Sequence, residues 1–548
     1  MTAMTEDILI VGAGPTGLTA ACTLLGLGVP CRIVDRRDGP GGAPKALVLW
    51  SGALECLSRV GAVGPIVEAA LPLARATYWS RKKQVGGMRF GGLDGTAFRH
   101  PLCAPQPVTE AALYERLHAL GGEVEWETEA VGLTVAGDKV TVALRTVQGR
   151  VERGTYRYVI GADGTHSRVR DAVSIPFEGH TYDRVFLLGD GRLEGPAPED
   201  EAQYHITPEG VLVLVPLPDG GHRVFFDIAA DGNTRPPSDE ELQALLDERG
   251  PGGLRLRETW WSNRFQVHAK VAPAFRAGPV FIAGDAAHAH SPAGGQGLNT
   301  GVQDGYDIGW KLASVLRGAA PELLDSYEPE RRPASVQAVR NADQQTRMWL
   351  LRNPMARAMR DATMQSFSRR GLLEKQMLPQ LAQLDLDHSA SPAVADLPGA
   401  AAVPRGVKLG RRVPDTALIP LNGTKADSLH QYLTAGRHTV LAYGDQAAGD
   451  MAVRAVAALR GRGVDDITDV LWVRPAGDSS GAGRAGGAAY ARCDTARVSG
   501  PGFGKEDGTP WLAYVRPDGT VGARAGIPGV LELLDRLPSQ RAGAAEAA

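Results

Sequence analysis

The sequence predicts an α/β fold that carries an inserted antiparallel β-sheet and ends in a further α/β unit. A buried apolar strand at 7–11, an apolar helix pattern at 18–27 and a second strand at 31–34 form a βαβ unit. Between about 176 and 270, short strands alternate with PDGG and DGN turns, which is typical of an antiparallel sheet. New strands appear again after residue 406, so a C-terminal unit is expected there.

The remaining predicted elements follow this division. Helices are predicted at 45–70, 108–121, 298–317 and through 334–385. Strands are predicted at 124–151, with a turn at Gly137-Asp138, and at 158–162, 210–217, 222–228 and 280–283. The C-terminal unit is expected to contain strands at 438–443, 470–473 and 511–516, a flexible loop at 477–487 and a helix near 529–537. Residues 386–405, rich in Pro, Ser, Ala and Gly, are interpreted as a linker.

Composition excludes several classes of protein. The chain has 548 residues, which is too many for one core and favours two or three domains. Its net charge of -3 offers no strong field for nucleic acid or an acidic surface. The five cysteines include no CxxC pair, so neither a metal knot nor a dithiol centre is expected, and their scatter favours a reducing cytoplasm. No basic leader opens the chain, and no apolar run approaches the roughly 20 residues of a membrane helix.

The turn GAGPTG between the first strand and helix fits a dinucleotide-binding fingerprint. Gly12 permits a tight turn, Gly14 lets the backbone approach a pyrophosphate, and Gly17 lets helix and strand pack closely. The N-terminus of the helix that follows Pro15 and Thr16 offers free N–H groups and a partial positive charge to phosphates. This βαβ unit is therefore expected to be of the Rossmann type.

Asp35 ends the second strand at the spacing where a carboxylate accepts the hydroxyls of a ribose. The alternative is a glycine-rich turn in an unrelated α/β fold, but strand, helix, second strand and terminal acid all agree with dinucleotide binding. The motif by itself does not distinguish FAD from NAD.

Two further motifs distinguish these cofactors. One is GADGTHSRVR at 161–170, and the other is GDAAHAHSPAGGQGLNTGVQDGYDIGWKL at 284–312. Together with the first motif, they resemble the class A flavoprotein monooxygenases, the family that includes p-hydroxybenzoate hydroxylase and phenol hydroxylase. The resemblance covers roughly residues 5–340 in motif order and spacing. It implies bound FAD, with NADPH or NADH as a visiting co-substrate.

The resemblance also implies roles for particular residues. Asp163 and Gly164, with Ser167 and Arg170, match a motif that supports FAD and the nicotinamide cofactor. Gln106, which precedes Glu110 by one helical turn, matches a glutamine that contacts the ribityl region of FAD.

The longest motif would hold the flavin ring. Gly284 and Asp285 match a pair whose acid hydrogen-bonds the ribityl chain, and Pro292 would line the ring. Backbone N–H groups beside the pyrimidine edge would come from Gly294, Gly295, Gln296 and Gly297, while Leu298 and Asn299 open the next helix. A helix N-terminus at that place stabilises negative charge on reduced flavin.

The sequence departs from the family pattern at three positions. The ribose acid is Asp35 where the family usually has Glu. Lys45 stands where an arginine is usual, so the charge is kept but the guanidinium fork is lost. Gly52 replaces a second arginine that would help to hold FAD, and the nearest cations in sequence are Arg36 and Arg37.

Several polar residues of these motifs have structural interpretations as well. His288 is expected to pack and to form hydrogen bonds, rather than to act as a general base. Asp163 could be a helix cap or turn acid. Asp304, Trp310 and Lys311 are expected to set helix packing. No catalytic side chain is assigned, because the flavin performs the chemistry, and no metal site is expected.

The chemistry implied by the resemblance starts with non-covalent FAD, which NAD(P)H reduces. Reduced flavin and O₂ form a C4a-hydroperoxide, which transfers oxygen to an electron-rich aromatic ring. No second GxGxxG motif follows a strand, so NAD(P)H is expected to dock transiently on the FAD domain. The expected partners are therefore a small aromatic substrate, O₂ and NAD(P)H, without nucleic acid or membrane, for a monomer or homodimer.

The predicted domain layout follows the family. Residues 1–75, 101–175 and 271–395 would form the FAD-binding domain with a helical extension. Residues 76–100 and 176–270 would form the substrate-binding sheet. Candidate substrate contacts, each equally explained as ordinary sheet core, are Tyr78, Trp79, Tyr204, Val213, Val215, Phe225 and Phe226. Trp260 and Arg264 could also approach the site.

Residues 406–548 resemble the thioredoxin-like C-terminal domain of phenol hydroxylase and of bacterial aromatic polyketide hydroxylases, without a CxxC. A structural or oligomer-supporting role is preferred for it, and the length points to polyketide tailoring. A Baeyer–Villiger or epoxidising enzyme on the same fold is an alternative, as is a non-catalytic flavin-binding protein. A flavin halogenase is disfavoured because the WxWxIP signature is absent.

Overall fold

A mainly parallel β-sheet forms the centre of the N-terminal body. The computed structural model describes residues 7–423, 425–475, 494–498, 503, 509–529 and 532–533. The strands of the first part are β1 (Ile8–Val11), β2 (Arg32–Val34), β3 (Val48–Leu49), β4 (Leu71–Pro72), β5 (Arg75–Ser80), β6 (Lys83–Arg89), β7 (Leu102–Cys103), β8 (Val124–Glu125), β9 (Glu129–Ala136), β10 (Lys139–Arg145), β11 (Val151–Tyr156) and β12 (Tyr158–Gly161). Its helices are α1 (Pro15–Gly26), α2 (Ser51–Arg59), α3 (Val63–Ala69), α4 (Gln106–Ala119) and α5 (Arg168–Ala172).

The middle of the chain supplies long strands and then a helical region. The strands are β13 (Glu178–Glu194), β14 (Glu201–Ile206), β15 (Val211–Pro216), β16 (His222–Ala229), β17 (Arg255–Val271), β18 (Arg276–Ala277), β19 (Val280–Ile282) and β20 (His288–Ala289). The helices are α6 (Asp239–Arg249), α7 (Gly297–Leu316), α8 (Tyr327–Trp349), α9 (Pro354–Arg369) and α10 (Leu372–Leu381). The helix-rich segment predicted at 334–385 is confirmed.

The parallel sheet has the order β18-β19-β12-β1-β2-β8. β1 pairs in parallel with both β2 and β12, and α1 makes the crossover between β1 and β2. Residues 17–24 of α1 are all buried, because the helix is covered by α7 on one side and by the sheet on the other. The predicted Rossmann-type βαβ unit is thus confirmed.

The helix predicted at 45–70 is shorter and broken. Residues 45–50 are extended, since β3 pairs with β7, and the helix begins only at Ser51. The Trp50 N–H is bonded to Asn299 Oδ1 at 2.7 Å, so a distant residue fixes this helix start. The helix propensities of residues 45–50 do not reveal this contact with Asn299, so they could not predict where the helix begins.

The inserted sheet has the order β20-β17-β13-β16-β15-β14-β5-β6 and unites residues 75–89 with residues 178–271 and with the short strand at 288–289. Its strand pairs are antiparallel apart from β5 and β14, which pair in parallel. One face packs on α6 through Leu242 and Leu246. The opposite face packs partly on the helical region α8–α10 and is otherwise turned toward the parallel sheet.

The C-terminal unit consists of β21 (Ala395–Asp396), β22 (Leu418–Asn422), α11 (Leu429–Tyr432), β23 (His438–Tyr443), α12 (Gln446–Arg462), β24 (Thr468–Arg474), β25 (Asp494–Val498), β26 (Trp511–Val515) and β27 (Val521–Ala525). Its sheet order is β21-β27-β26-β23-β24-β25-β22, with β23 and β24 parallel and β26 antiparallel to β23. A thioredoxin-like assignment stays a prediction. The predicted loop 477–487, Cys493 and most of the helix near 529–537 lie outside the described residues.

Residues 386–405 are not a free linker, in contrast to the prediction. β21 pairs with β27 of the C-terminal sheet. Ser391 is buried and donates to Glu330 Oε1 of α8 at 2.5 Å. The segment is therefore built into the contact between the C-terminal unit and α8.

A buried ion-pair network joins the C-terminal unit to α7 and α8. The Arg516 guanidinium donates to both carboxylate oxygens of Glu330, at 2.8 and 2.6 Å, and to Asp518 at 2.5 Å. Lys311 donates to Glu330 at 2.8 Å and to Asp307 at 2.7 Å. Lys311 therefore sets helix packing, as expected from the sequence.

Across the described part of the chain, no helix is both long and apolar enough to cross a bilayer.

Candidate active site

A cavity of about 710 Å³ lies between the parallel sheet and the inserted sheet. The turn after β1, the end of β2, residues 45–50 and the loop after β12 form one part of its wall. Residues 285–298 and one face of the inserted sheet form the other part. The three sequence motifs and the inserted sheet thus meet at one place.

The turn between β1 and α1 closes one end of the cavity. Gly12 has a φ of +106°, and a Cβ built there would lie 2.3 Å from the carbonyl oxygen of Ala162. A Cβ at Gly14 would meet nothing within 4 Å, which leaves open space above the start of α1. A Cβ at Gly17 would lie 1.9 Å from the Gly12 carbonyl oxygen, so Gly17 supports this wall without lining it. The cavity is lined by Gly12, Gly14, Pro15 and Thr16.

Asp35 lies at the end of β2 and lines the cavity, as does the exposed Arg36. The Asp35 carboxylate accepts hydrogen bonds from the Ala13 N–H at 2.7 Å and from the Arg37 N–H at 2.9 Å. The Arg37 guanidinium pairs with Asp35 and also with Glu110. Arg37 was named from the sequence only as a nearby cation, and the structure places it in the cavity wall.

Gln106 and Glu110 fix the loop that carries Lys45. The Glu110 carboxylate accepts from the Gly41 N–H at 2.9 Å and from the Gln106 amide at 2.8 Å. Gln106 Oε1 accepts in turn from the Ala46 N–H at 3.3 Å. This pair therefore positions residues 41–46 against the cavity, which Gln106, Glu110 and Lys45 all line.

Asp163 combines a structural contact with a free acceptor. Its Oδ2 accepts from the N–H groups of Arg168, at 2.8 Å, and Val169, at 3.2 Å, and so caps α5. Its Oδ1 is buried and has no hydrogen-bond partner among the described residues. Burial raises the pKa of this carboxyl, although hydrogen bonds from Ser167 and the backbone oppose the shift. Asp163 and Gly164 line the cavity, so the cap does not exclude a ligand contact.

Asp285 reaches the cavity from the turn Gly284–Ala286. Asp285 is exposed and lines the cavity, and desolvation by the surrounding protein raises the pKa of its carboxyl. His288 and Lys45 partly offset that rise electrostatically. Gly284 itself does not line the cavity; its N–H is bonded to Asp304 Oδ2 at 3.1 Å.

Asp304 is the centre of a buried cluster behind this turn. It accepts from His288 Nε2 at 2.7 Å and from Arg331 Nε at 2.8 Å, and all three side chains are almost fully buried. Burial alone would raise the pKa of Asp304, but Arg331 and His288 outweigh it and hold the pKa below its usual range. His288 and Asp304 therefore have structural roles, as the sequence indicated.

The segment 292–298 forms a further part of the cavity wall. Pro292, Gly294, Gly295, Gly297 and Leu298 line the cavity, and the first N–H groups of α7 have no acceptor within the helix.

Two residues assigned to this wall from the sequence do not line it. Gln296 donates to the Gln380 carbonyl at 3.0 Å, which ties the segment to α10. Asn299 donates to the carbonyls of Val48 and Gly295, at 2.8 and 2.7 Å, while its Oδ1 accepts from Trp50. Both side chains thus hold the wall in place from behind, and a backbone contact of Gln296 or Asn299 with the cofactor stays a prediction.

Gly52 shows why an arginine is missing at this position. A Cβ there would lie 2.8 Å from the carbonyl oxygen of Ala382 and 3.1 Å from that of Gln383. The Gly52 N–H donates to the same Ala382 carbonyl at 2.9 Å. The end of the helical region therefore occupies the space that a side chain would need.

The inserted sheet presents alternate residues of β17 to the cavity. Trp261, Asn263 and Phe265 line it. Arg264 points to the other face, where it pairs with Asp231 and Glu241, and Trp260 is 47% exposed. The expectation that Trp260 and Arg264 approach the site is therefore wrong by one residue of register, since side chains alternate along a strand.

The same alternation of side chains separates the other predicted substrate contacts into residues that line the cavity and residues that do not. Tyr204, Val213, Val215 and Phe225 line the cavity. Phe226 packs in the core beneath α6, on the opposite face from Phe225, and this corrects its assignment. Tyr78 and Trp79 do not line the cavity either: Tyr78 lies behind Tyr204 with ring centroids 5.1 Å apart, and Trp79 stacks on His205.

Sequence reasoning missed much of the apolar wall. The lining residues that were not predicted include Trp50, Leu73, Phe90, Leu188, Arg223, Trp261, Asn263, Phe265, His290, Ser291 and Trp349. A period of two along WWSNRF would have identified the β17 residues once the register was known. His290 and Ser291 lie within the motif at 284–312 and could have been singled out from it, whereas the others come from separate elements and carry no local signal.

Arg223 ties the inserted sheet to the Lys45 loop. It forms a buried ion pair with Asp190 at 2.7 Å and donates to the carbonyls of Lys45, at 3.0 Å, and Pro44. Its guanidinium lies 5.3 Å from the ring centroid of Trp261. The position of the sheet face is thereby fixed relative to the loop that Gln106 and Glu110 hold.

These residues fit FAD. The open space over Gly14 at a helix start suits a pyrophosphate. Carboxylates at Asp35 and Asp285 suit ribose and ribityl hydroxyls, and the unbonded Asp163 Oδ1 offers a further acceptor. The start of α7 suits the electron-rich edge of a flavin.

Comparisons with known proteins agree with this fit. Residues 5–342 match the family model described as FAD binding domain. The chain is 34% identical over 473 residues to 6-methylpretetramide 4-monooxygenase from Streptomyces rimosus, covering 84% of this chain and 83% of that protein.

Solved structures with similar folds include OxyS anhydrotetracycline hydroxylase from Streptomyces rimosus, with a TM-score of 0.75, 26% identity, and 98% and 99% of the two chains covered. CabE, an aromatic hydroxylase from angucycline biosynthesis, matches with a TM-score of 0.74, 26% identity, and 97% and 99% coverage. The family match and these relatives show that the chain belongs to the FAD-binding-domain family and is a class A, FAD-dependent aromatic monooxygenase.

Proposed function

We propose that the protein hydroxylates an extended phenolic substrate of the fused-ring, polyketide-like kind, with NADPH or NADH and O₂ as co-substrates. The observation that carries this proposal is the wide apolar face of the inserted sheet in the cavity. Of the described residues of the inserted sheet that line the cavity, Arg223 is the one with a charged side chain, and its ion pair with Asp190 neutralises that charge. A substrate carboxylate would therefore find no unpaired cation there, whereas flat aromatic rings find Phe225, Trp261 and Phe265.

Support comes also from the relatives, whose names refer to tetracycline precursors and to angucycline biosynthesis. FAD, when bound, supplies the reduction of O₂ and the transfer of one oxygen atom. The chain's own residues bind, orient and exclude water. No side chain of the described cavity is needed as a general base for oxygen transfer, and none is assigned.

We propose the following division of FAD contacts. Gly12, Gly14 and the start of α1 hold the pyrophosphate, and Asp35 accepts from the ribose hydroxyls. Asp285 accepts from the ribityl chain, and the start of α7 stabilises negative charge on the pyrimidine edge.

Asp285→Ala is expected to weaken FAD binding by about tenfold or more, because a hydrogen bond to a charged group contributes about 1.5–3 kcal/mol. The measurement is titration of the apoprotein with FAD, followed by quenching of flavin fluorescence. Asp325→Ala serves as a matched control, since Asp325 is a surface acid paired with Arg276. FAD affinity equal to wild type in Asp285→Ala would show that the ribityl assignment is wrong.

The proposed substrate class is tested by following NADPH and NADH oxidation with fused-ring phenols, hydroxybenzoates and simple phenols. Product mass spectrometry should show a gain of one oxygen with the ring skeleton intact. A ring-expanded lactone or an epoxide would instead favour Baeyer–Villiger or epoxidising chemistry. Turnover of hydroxybenzoates alone would contradict the proposed class.

Three further features belong to this proposal. We propose separate substrate and C-terminal domains: most strands of the inserted sheet lie within 76–100 and 176–270, and most strands of the C-terminal sheet lie within 406–548, while β20 and β21 fall outside these ranges. We propose a structural role for the thioredoxin-like C-terminal unit, supported by its buried contacts with α7 and α8. We propose a monomer or homodimer in the cytoplasm, where the lack of a disulfide among the described cysteines would be expected.

A further inference from the structure

One row of residues crosses the cavity face of the inserted sheet from strand to strand. Asn263 of β17 is opposite Leu188 of β13, which is opposite Phe225 of β16. Phe225 is opposite Val213 of β15, and Val213 is opposite Tyr204 of β14. All five line the cavity. The row therefore has a polar side chain at each end and three apolar side chains between them.

Both polar ends lack a protein partner. Neither the side-chain amide of Asn263 nor the hydroxyl of Tyr204 forms a hydrogen bond with any described residue. Asn263 stands between the aromatic residues Trp261 and Phe265, and Tyr204 lies between the rings of Tyr78 and Trp349, at 5.1 and 5.6 Å. Burial raises the pKa of Tyr204 to about 12, so its hydroxyl is neutral and able to donate. Polar groups in such apolar surroundings favour a ligand that can bond to them.

The separation of the two ends limits the shape of that ligand. Four strand-to-strand steps of about 4.8 Å place the two backbones roughly 19 Å apart. A hydrogen bond of about 2.8–3.0 Å at each end takes up part of this gap. A single aromatic ring cannot reach both groups, whereas a linear set of fused rings can.

We propose that Asn263 and Tyr204 are specificity-determining residues that bind oxygen substituents at the two ends of an elongated fused-ring substrate. This inference rests on the proposed function and deepens it. The Asn263 amide offers both a donor and an acceptor, and so accepts either a hydroxyl or a carbonyl at its end. Tyr204 offers one hydroxyl, and Leu188, Phe225 and Val213 contact the rings without choosing between substituents.

The test uses three probes that differ only in their ends: 2,6-dihydroxyanthraquinone, 2-hydroxyanthraquinone and anthraquinone. Binding to the oxidised, FAD-loaded protein is measured at equilibrium from the perturbed flavin absorbance, without NADPH and without turnover. Wild type should bind more tightly with each added hydroxyl, by about three- to tenfold, which is the usual range for one hydrogen bond.

Asn263→Leu and Tyr204→Phe should each weaken binding of the dihydroxy probe by about three- to tenfold and leave anthraquinone unchanged. The double variant should bind all three probes alike. Asn263→Ser, which keeps a hydroxyl, should retain part of the preference. Ser262→Ala is the matched control, since Ser262 lies next in sequence but bonds to the Pro237 carbonyl on the other face.

Equal weakening of all three probes in the Leu and Phe variants would overturn the inference, because it would show a loss of packing only. Unchanged binding of the dihydroxy probe in those variants would overturn it too, and the proposed substrate class would stand. If wild type binds none of the anthraquinones but binds 4-hydroxybenzoate or phenol, the proposed substrate class fails and the inference with it. FAD content and melting temperature of each variant are measured to verify folding.

Discussion

Arg516→Met should lower the free energy of unfolding by about 3–5 kcal/mol, the usual cost of breaking a buried ion pair from one side. Arg516 and Glu330 have side chains that are 1% and 0% exposed. Methionine keeps much of the volume but leaves the Glu330 carboxylate with Lys311 as its remaining cation. In the folded protein, burial would raise the pKa of Glu330, but Arg516 and Lys311 outweigh it and hold the pKa well below its usual range. The measurement is urea unfolding of the FAD-loaded chain.

Arg524→Met is the matched control. Arg524 lies on the next strand of the same sheet and pairs with Asp396, whose side chain is 48% exposed, so its loss should cost less than about 1 kcal/mol. Adding Glu330→Gln to Arg516→Met should recover part of the loss, because it reduces the excess of buried negative charge that remains around Lys311. Equal, small effects of Arg516→Met and Arg524→Met would contradict the network's role.

Asp304→Ala should also lower the free energy of unfolding by about 3–5 kcal/mol. The substitution removes the carboxylate that pairs with the buried Arg331 and accepts a hydrogen bond from His288. It should also reduce FAD retention, since the Gly284 N–H loses the acceptor that positions the turn before Asp285. Chemical unfolding and FAD titration measure the two effects separately. Asp171→Ala removes an acid that is 67% exposed and should change neither quantity appreciably.

The pH dependence of Asp304→Asn gives an independent check. Because Arg331 and His288 hold the pKa of Asp304 below its usual range, its contribution is present above the unfolded pKa of about 3.9 and is lost as pH falls through the folded value. Wild type should therefore lose more stability than Asp304→Asn between about pH 5 and pH 3. Parallel curves for the two proteins would rule out an ionised Asp304 in the native state.

The dinucleotide-binding half of the molecule could be predicted from the sequence because its signals are local. Gly12, Gly14 and Asp35 lie within one βαβ unit, and turn geometry, helix start and strand end all act over a few residues. The hairpin turn at Gly137 was likewise predictable, since Gly137 has a φ of +62° there.

The substrate side was less predictable for two physical reasons. Strand patterns fix which residues share a face but not which face is inward, and Trp260 was favoured where the structure has Trp261. Long-range hydrogen bonds decide the rest: Asn299 fixes the helix start at Trp50, and Arg223 holds the carbonyls of Pro44 and Lys45. A local sequence pattern cannot predict a hydrogen bond such as that from Arg223 to the Lys45 carbonyl, because the two residues are 178 positions apart.

The buried network around Glu330 also determines where parts of such enzymes can be exchanged. Arg516 of the C-terminal unit and Ser391 of the segment before it both donate to Glu330 of α8. The Tyr306 hydroxyl of α7 donates to the Pro517 carbonyl. A chimaera joined within 386–405 would cut through this contact, although that stretch looks like a natural junction in sequence. The C-terminal unit of a relative can be grafted onto this body only together with its own counterparts of Asp307, Lys311 and Glu330.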